Sequence, residues 1–306
     1  MSMFDIIKHG GIYMIFELQN RNLLVKADSI GAELKSIKRV NDSEDVEYLW
    51  QLNPKIWERQ APLLFPVIGR LKDEEYTYAG QTYKIGIHGF ARFKDFTTER
   101  ISDDEINFIF ENDEETLIEF PFKFRLTVSY KLNSMDIIKS HKVENLGDSI
   151  MPYEVGGHEG YNLALFSDEQ MEDYYLEFPD MNSLETYTAD DNVMINKEKL
   201  SIELDNGKIY LSPEVFKKDA LIMDEFVKNK IMLRNTKNDR GIDVEFNDFK
   251  YLGIWTKYMR SNYVCIEPWS SLPDCNFLGK ELNKKQDVRL LEPKQSEKLS
   301  YTITVI

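Results

Sequence analysis

The sequence predicts an all-β protein built as a sandwich or barrel. Alternating apolar and polar residues recur along the chain, turn signals separate those runs, and no segment sustains a well-capped helical period. Alternation with period two places one set of side chains on a buried face and the other in solvent. Helical spacing would scatter the same residues around an axis.

Taken in chain order, the first segment of note is 61–93, APLLFPVIGRLKDEEYTYAGQTYKIGIHGFARF. An apolar run, Pro62 to Ile68, ends at Gly69-Arg70, and a polar stretch turning at Ala79-Gly80 leads to Ile87-His88-Gly89-Phe90-Ala91-Arg92. If the two apolar segments pair, Arg70 and His88 point into one cleft. Glu111 to Glu115 reads as an acidic solvated turn. Phe122, Phe124, Leu126, Val128, Tyr130 and Leu132 alternate with polar residues and predict a half-buried strand. Ser167 to Tyr174 and Ser212 to Lys218 each suit a short helix, the second opened by Ser212 as cap and Pro213 in the first turn. Leu200, Ile202 and Leu204, then Asp205-Asn206-Gly207-Lys208, then Ile209-Tyr210-Leu211 predict a hairpin. Ile242, Val244 and Phe246 continue the alternation, and Leu299, Tyr301, Ile303 and Val305 close the chain with it.

The chain has 306 residues, 42% hydrophobic and 30% charged, enough for a substantial core. Its net charge of −15 argues against a sequence-independent nucleic-acid or anionic-membrane binder, which needs clustered positive charge. Cys265 and Cys275 are read as free thiols of a reducing compartment, and neither lies in a metal-ligand spacing. No stretch has the length of a membrane span, and Asp5, Lys8 and Gly10-Gly11 interrupt any signal-peptide core, so the expected location is cytoplasmic. Repeats, low-complexity tracts and linkers are absent, giving one domain. Phosphate-binding glycine loops and G-x-S-x-G elbows are absent too.

Two further stretches carry chemistry. Tyr263-Val264-Cys265-Ile266-Glu267-Pro268-Trp269 sets a carboxylate inside an apolar strand, where it needs a partner or a shifted pKa. A strand-end carboxylate before proline, or one paired with an arginine, is the plainer alternative. Gly156-Gly157-His158-Glu159-Gly160 is glycine-rich, which allows positive φ and close approach to a ligand. Its histidine can lend and recover a proton near neutral pH, and Glu159 beside it would raise that pKa. On local sequence alone a surface-loop histidine is the favoured reading of His158.

Together, Pro62, Phe65, Pro66, Gly69-Arg70, His88-Gly89-Phe90-Ala91-Arg92, Gly156-Gly157-His158 and Glu267-Pro268-Trp269 resemble, in order and spacing, the galactose mutarotase-like superfamily of aldose 1-epimerases, especially its LacX-like branch. The resemblance runs from about Met14 to the C-terminus, which leaves residues 1–13 as an extension and 14–306 as the domain. It implies a large antiparallel β-supersandwich with a few short helices and an active site on one concave sheet. Mutarotation opens and recloses a sugar ring, which takes an acid and a base on opposite sides of C1–O5 and no metal or redox cofactor. By resemblance Glu267 is the base, His158 the acid and His88 the second histidine of the site. Arg70 and Asp219 would hold sugar hydroxyls, and Trp255 would offer a flat apolar face. A salt bridge is the plainer role for Arg70, and a turn aspartate for Asp219. Arg92 and Trp269 are expected to be structural, and His9 and His141 receive no role. The LacX-like branch usually has proline where this chain has Glu159.

The implied partner is a small sugar, galactose or glucose first, with a homodimer as the assembly to consider. Three rival readings stand. A non-catalytic sugar-binding or sensing protein would not need an acid–base pair. A sugar-phosphate mutarotase could draw positive charge from Lys72 and Lys94. A glycosidase or lyase would need a second catalytic acid that the sequence does not supply.

Overall fold

The computed structural model describes residues 14–258 and 261–306, so the proposed extension and His9 lie outside the described residues. Its largest element is a nine-stranded sheet. In spatial order the strands are Lys208–Tyr210, Tyr174–Glu177, Lys230–Asn235, Gly241–Glu245, Ser296–Val305, Asp136–Asn145, Phe124–Asn133, Glu105–Glu111 and Thr97–Arg100. Every pairing in it is antiparallel. A four-stranded antiparallel sheet packs against it, ordered Glu159–Asn162, Tyr263–Trp269, Tyr251–Trp255 and Leu221–Met223.

The alternating pattern produces the core directly. Leu126, Val128 and Tyr130, with Val244 and Ile303, turn inward from the large sheet. Val264, Ile266, Leu252 and Ile254 meet them from the small sheet. These side chains are fully buried, and each contributes roughly 1.5–3 kcal/mol relative to exposure. Such packing is the aligned or orthogonal sandwich solution for two amphipathic sheets. Among the described residues, no helix is long and apolar enough to cross a membrane.

Most expected strands form close to where alternation placed them: Phe124–Asn133, Gly241–Glu245 and Ser296–Val305. The polar stretch after Arg70 folds as the hairpin Glu75–Tyr78 with Gln81–Lys84, and Ala79 and Gly80 both take positive φ at its turn. Four expectations fail. The acidic turn is a short α-helix, Glu114–Glu119, because Asp113 accepts the Thr116 N–H at 2.7 Å while its own N–H reaches the Thr116 hydroxyl at 2.9 Å. The predicted hairpin around Asn206-Gly207 is not one. Ile195–Glu203 pairs with Ser183–Ala189, whereas Lys208–Tyr210 joins the large sheet beside Tyr174–Glu177. The turn is real, but it hands the chain from one sheet to another. The segment after Ser212 is a 3₁₀ turn, Pro213–Phe216, and the Ser212 side chain makes no capping bond. Met171–Asp173, within the other expected helix, is likewise 3₁₀.

Candidate active site

The small sheet has two working faces. Val264, Ile266 and Pro268 belong to one face of Tyr263–Trp269, and Tyr263, Cys265, Glu267 and Trp269 to the other. All seven residues are buried, so this strand is covered on both sides, and the second cover is the site. Across the ladder, Gly253 stands opposite Glu267 and Trp255 opposite Cys265. A side chain at 253 would collide with the Trp269 ring at 2.6 Å, so the glycine lets that indole lie flat beside the carboxylate.

His158 arrives on the neighbouring chain, one residue before the strand Glu159–Asn162, whose register sets Glu159 opposite Ile266. That register brings His158 level with Glu267. Its Nε2 is 3.3 Å from Glu267 Oε1, within the looser range that catalytic contacts show before substrate binds. The two glycines before it serve a different purpose from the one expected. Neither takes positive φ. A Cβ on Gly156 would meet the Pro268 carbonyl at 2.7 Å, and one on Gly157 the Tyr301 hydroxyl at 1.9 Å. They are small because the chain is threaded between a strand and a tyrosine.

Glu159 is corrected as well. Strand alternation turns it away from His158 into the core, where Oε1 accepts from Lys139 at 2.7 Å and from the Tyr301 hydroxyl at 2.6 Å. Both partners of the Lys139–Glu159 ion pair are 0% exposed. Glu159 does not raise the His158 pKa; burial pushes that imidazole down to about 3, with Arg92 and Arg59 adding to the effect.

Positive φ appears instead at the second histidine. His88 and Gly89 have φ of 61° and 68°, and Gly69 has 67°. The chain folds back on itself here. The His88 N–H donates to the Gly69 carbonyl at 2.8 Å, and the Gly69 N–H donates to His88 Nδ1 at 3.1 Å. Because Nδ1 accepts, the neutral ring carries its proton on Nε2 and is a donor. Burial holds His88 well below its ordinary pKa, so that tautomer persists at neutral pH. The His88 and His158 rings meet edge to face at 5.5 Å.

These groups line a cleft of about 1050 Å³, at the top of the range for small-molecule sites. Glu267, His158, His88, Arg70, Asp219 and Trp255 all border it, so the structure brings the six residues expected from sequence together. Their states differ. Arg70 is at the mouth, 46% exposed and bonded to Glu74 at 2.9 Å, the ion pair that composition favoured. Asp219 is an exposed residue of a turn with φ of 82°. Trp255 meets His158 edge to face at 5.9 Å.

Four residues that border the cleft were missed or undervalued. Trp57 stacks on His158 at 5.2 Å and on Tyr263 at 5.1 Å, roofing the histidine. Arg59 and Arg92 flank the Phe93 ring at 4.9 and 4.8 Å. Neither arginine has a carboxylate ion-pair partner among the described residues. Arg92 was expected to be structural, and it does donate to the Ile87 carbonyl, but its buried Nε has no partner. Trp269 joins the wall, and its indole faces the Glu267 carboxyl. The signal for Trp57 was an aromatic among polar residues at 51–59; no local pattern ties it to His158.

Burial, then the Glu159 and Asp219 charges, push the Glu267 carboxyl well up, while His158 is pushed down. A carboxylic acid against a neutral imidazole holds as many protons as a carboxylate against an imidazolium. The pair therefore shares one transferable proton. Cys265 joins it: the His158, Cys265 and Glu267 ligand atoms lie within 4.8 Å of one another.

An antiparallel sandwich with a histidine–glutamate pair at the floor of a large cleft fits a sugar epimerase. The model of the aldose 1-epimerase family matches residues 14–290, and the chain belongs to that family. It is 33% identical over 301 residues to the plasmid-encoded protein LacX of Lactococcus lactis subsp. lactis, covering 96% of this chain and 100% of the relative. The structure of a galactose mutarotase related enzyme from Lactobacillus acidophilus superposes with a TM-score of 0.91 at 35% identity, covering 96% of this chain and 97% of that one. A galactose mutarotase-like protein from Lactobacillus casei gives 0.87 at 27% identity, covering 96% and 100%.

Proposed function

We propose that this protein is an aldose 1-epimerase interconverting the α and β anomers of a free hexose, galactose and glucose being the first candidates. The observation that carries the reading is the 3.3 Å approach of His158 Nε2 to Glu267 Oε1, with His88 beside it, in one cleft. Glu267 takes the proton of the C1 hydroxyl as His158 delivers one to the ring oxygen. The C1–O5 bond breaks and C1 becomes the aldehyde carbon. After rotation about C1–C2 the same groups, with roles exchanged, close the ring on the other face. One internal proton shift converts the neutral resting pair into carboxylate and imidazolium. The His88 Nε2–H donor steadies the oxygen on which charge develops. Arg70, Asp219 and Trp255 orient the sugar at the mouth and wall. The two unpaired thiols suit a cytoplasmic enzyme. Polarimetry of freshly dissolved α-galactose and α-glucose tests this: the protein accelerates the decay of rotation, and absence of acceleration with either sugar rejects the free-hexose substrate.

One observation favours a second reading, a phosphorylated sugar. Lys72 and Lys94 do not supply the charge, since neither borders the cleft and Lys94 is held by Asp113 and Glu115. Arg59 and Arg92 do border it without an acidic ion-pair partner among the described residues, and a phosphate would complete them. Equal turnover of a hexose and its 6-phosphate would sink this reading; a preference for the phosphate that Arg92→Gln removes would establish it.

A further inference from the structure

We propose that the floor of the cleft is a binding site for a soft divalent cation of the zinc class, formed by Cys265, Glu267 and His158, whose occupation turns the enzyme off. Cys265 and Glu267 are two residues apart on one face of Tyr263–Trp269, and the register of Glu159–Asn162 sets His158 beside them. All three side chains are buried, and their ligand atoms lie within 4.8 Å of one another. A tetrahedral zinc with ordinary Zn–S, Zn–N and Zn–O lengths needs ligand-to-ligand edges of roughly 3.3–3.6 Å. The His158–Glu267 edge is already 3.3 Å, so closing the rest takes movements of about an ångström.

The donor set decides the ion. A thiolate with an imidazole and one carboxylate suits zinc, whereas magnesium and calcium prefer all-oxygen cages. Binding releases the thiol and carboxyl protons to solvent, leaving two negative ligands around a dipositive ion. The charges balance with no further acid. Three protein ligands leave a fourth position, and it faces the cleft that Glu267 and His158 border, while Cys265 lies behind them, packed with Tyr263, Trp57 and Trp255. Arg59 and Arg92 oppose the incoming charge, so affinity is lower than at a closed four-ligand site. The mechanism assigns Cys265 no task, and this one uses its position. The ion would occupy the lone pairs with which Glu267 and His158 move protons. This second limb, inhibition, rests on the proposed mutarotase activity; the binding limb does not.

The test adds cobalt(II) to metal-stripped full-length protein. The expected result is one ion per chain, with a near-ultraviolet thiolate-to-cobalt band that zinc abolishes. Cys275→Ser keeps the band and Cys265→Ser loses it. If Cys265→Ser does not fold by circular dichroism, Glu267→Gln serves instead and weakens cobalt binding by about ten-fold or more. No band in the wild type, a band surviving in Cys265→Ser, or unchanged affinity in Glu267→Gln overturns the site. Separately, zinc slows wild-type sugar turnover, a chelator restores it, and Cys265→Ser is less sensitive at any given rate of its own. Cobalt binding with zinc-insensitive turnover overturns the switch and leaves the site standing. A protein without turnover on any sugar rejects the functional reading, while the cobalt result still decides the site.

Discussion

Glu267 and His158 are 1% and 8% exposed and sit 3.3 Å apart, a separation across which a proton can be shared. Glu267→Gln keeps the shape and removes the exchange. Turnover of the preferred sugar is expected to fall by about 10²–10⁴ with little change in KM. Near-normal turnover in a folded variant would remove the mechanism.

The same substitution should affect stability in a pH-dependent way. Burial raises the folded-state pKa of Glu267 above its unfolded value. Such a group contributes fully below the unfolded carboxylate pKa, and that contribution is lost as pH rises through the folded pKa. Glutamine does not titrate. The Tm of Glu267→Gln relative to wild type should therefore rise between pH 5 and pH 8. A variant equally destabilised across that range would show that the pair holds no proton in the folded state, a carboxylate beside a neutral imidazole.

His88 is held by its backbone as much as by its ring. Asparagine tolerates the left-handed φ of 61° at that position but cannot present the Nε2–H. His88→Asn should keep most of the stability and lose about 10²-fold in kcat, the usual cost of one pre-oriented donor. A variant losing only KM would mark His88 as a binding contact.

Trp57 is expected to matter without touching a proton. Trp57→Ala removes the ring stacked 5.2 Å over His158 and lets water reach the imidazole. With less burial the His158 pKa climbs from about 3 toward its ordinary value. Histidine NMR titration of the variant reads this directly; an unmoved His158 resonance would show that the stack does not shield it.

Beneath the site, Lys139→Met leaves Glu159 buried without its cation, at a cost of about 3–5 kcal/mol. Adding Glu159→Gln should recover most of that loss in chemical denaturation. Recovery would fail if the pair fixed the path of the 156–160 segment and did not merely balance charge.

Much of this was legible in the chain. Alternation located the strands at Phe124–Asn133, Gly241–Glu245 and Ser296–Val305, and the carboxylate in Cys265-Ile266-Glu267-Pro268-Trp269 was conspicuous because no polar neighbour accounted for it. What could not be read depends on register between distant segments. Glu159 follows His158 directly, yet only its pairing with Ile266 shows that the two side chains serve opposite faces. Trp57 lies a hundred positions before the histidine it covers. The helix Glu114–Glu119 was hidden in an acidic run, although Asp113 and Thr116 have the spacing of a reciprocal cap.

The hairpin Ser183–Ala189 with Ile195–Glu203 is a sheet of its own, and residues from both strands, among them Tyr187, Leu200 and Ile202, form one wall of the cleft. The proton-handling residues lie on other strands and turns. A lineage can therefore rewrite this wall to favour a different sugar while the reaction chemistry is inherited untouched, and an engineer could graft it as a cassette.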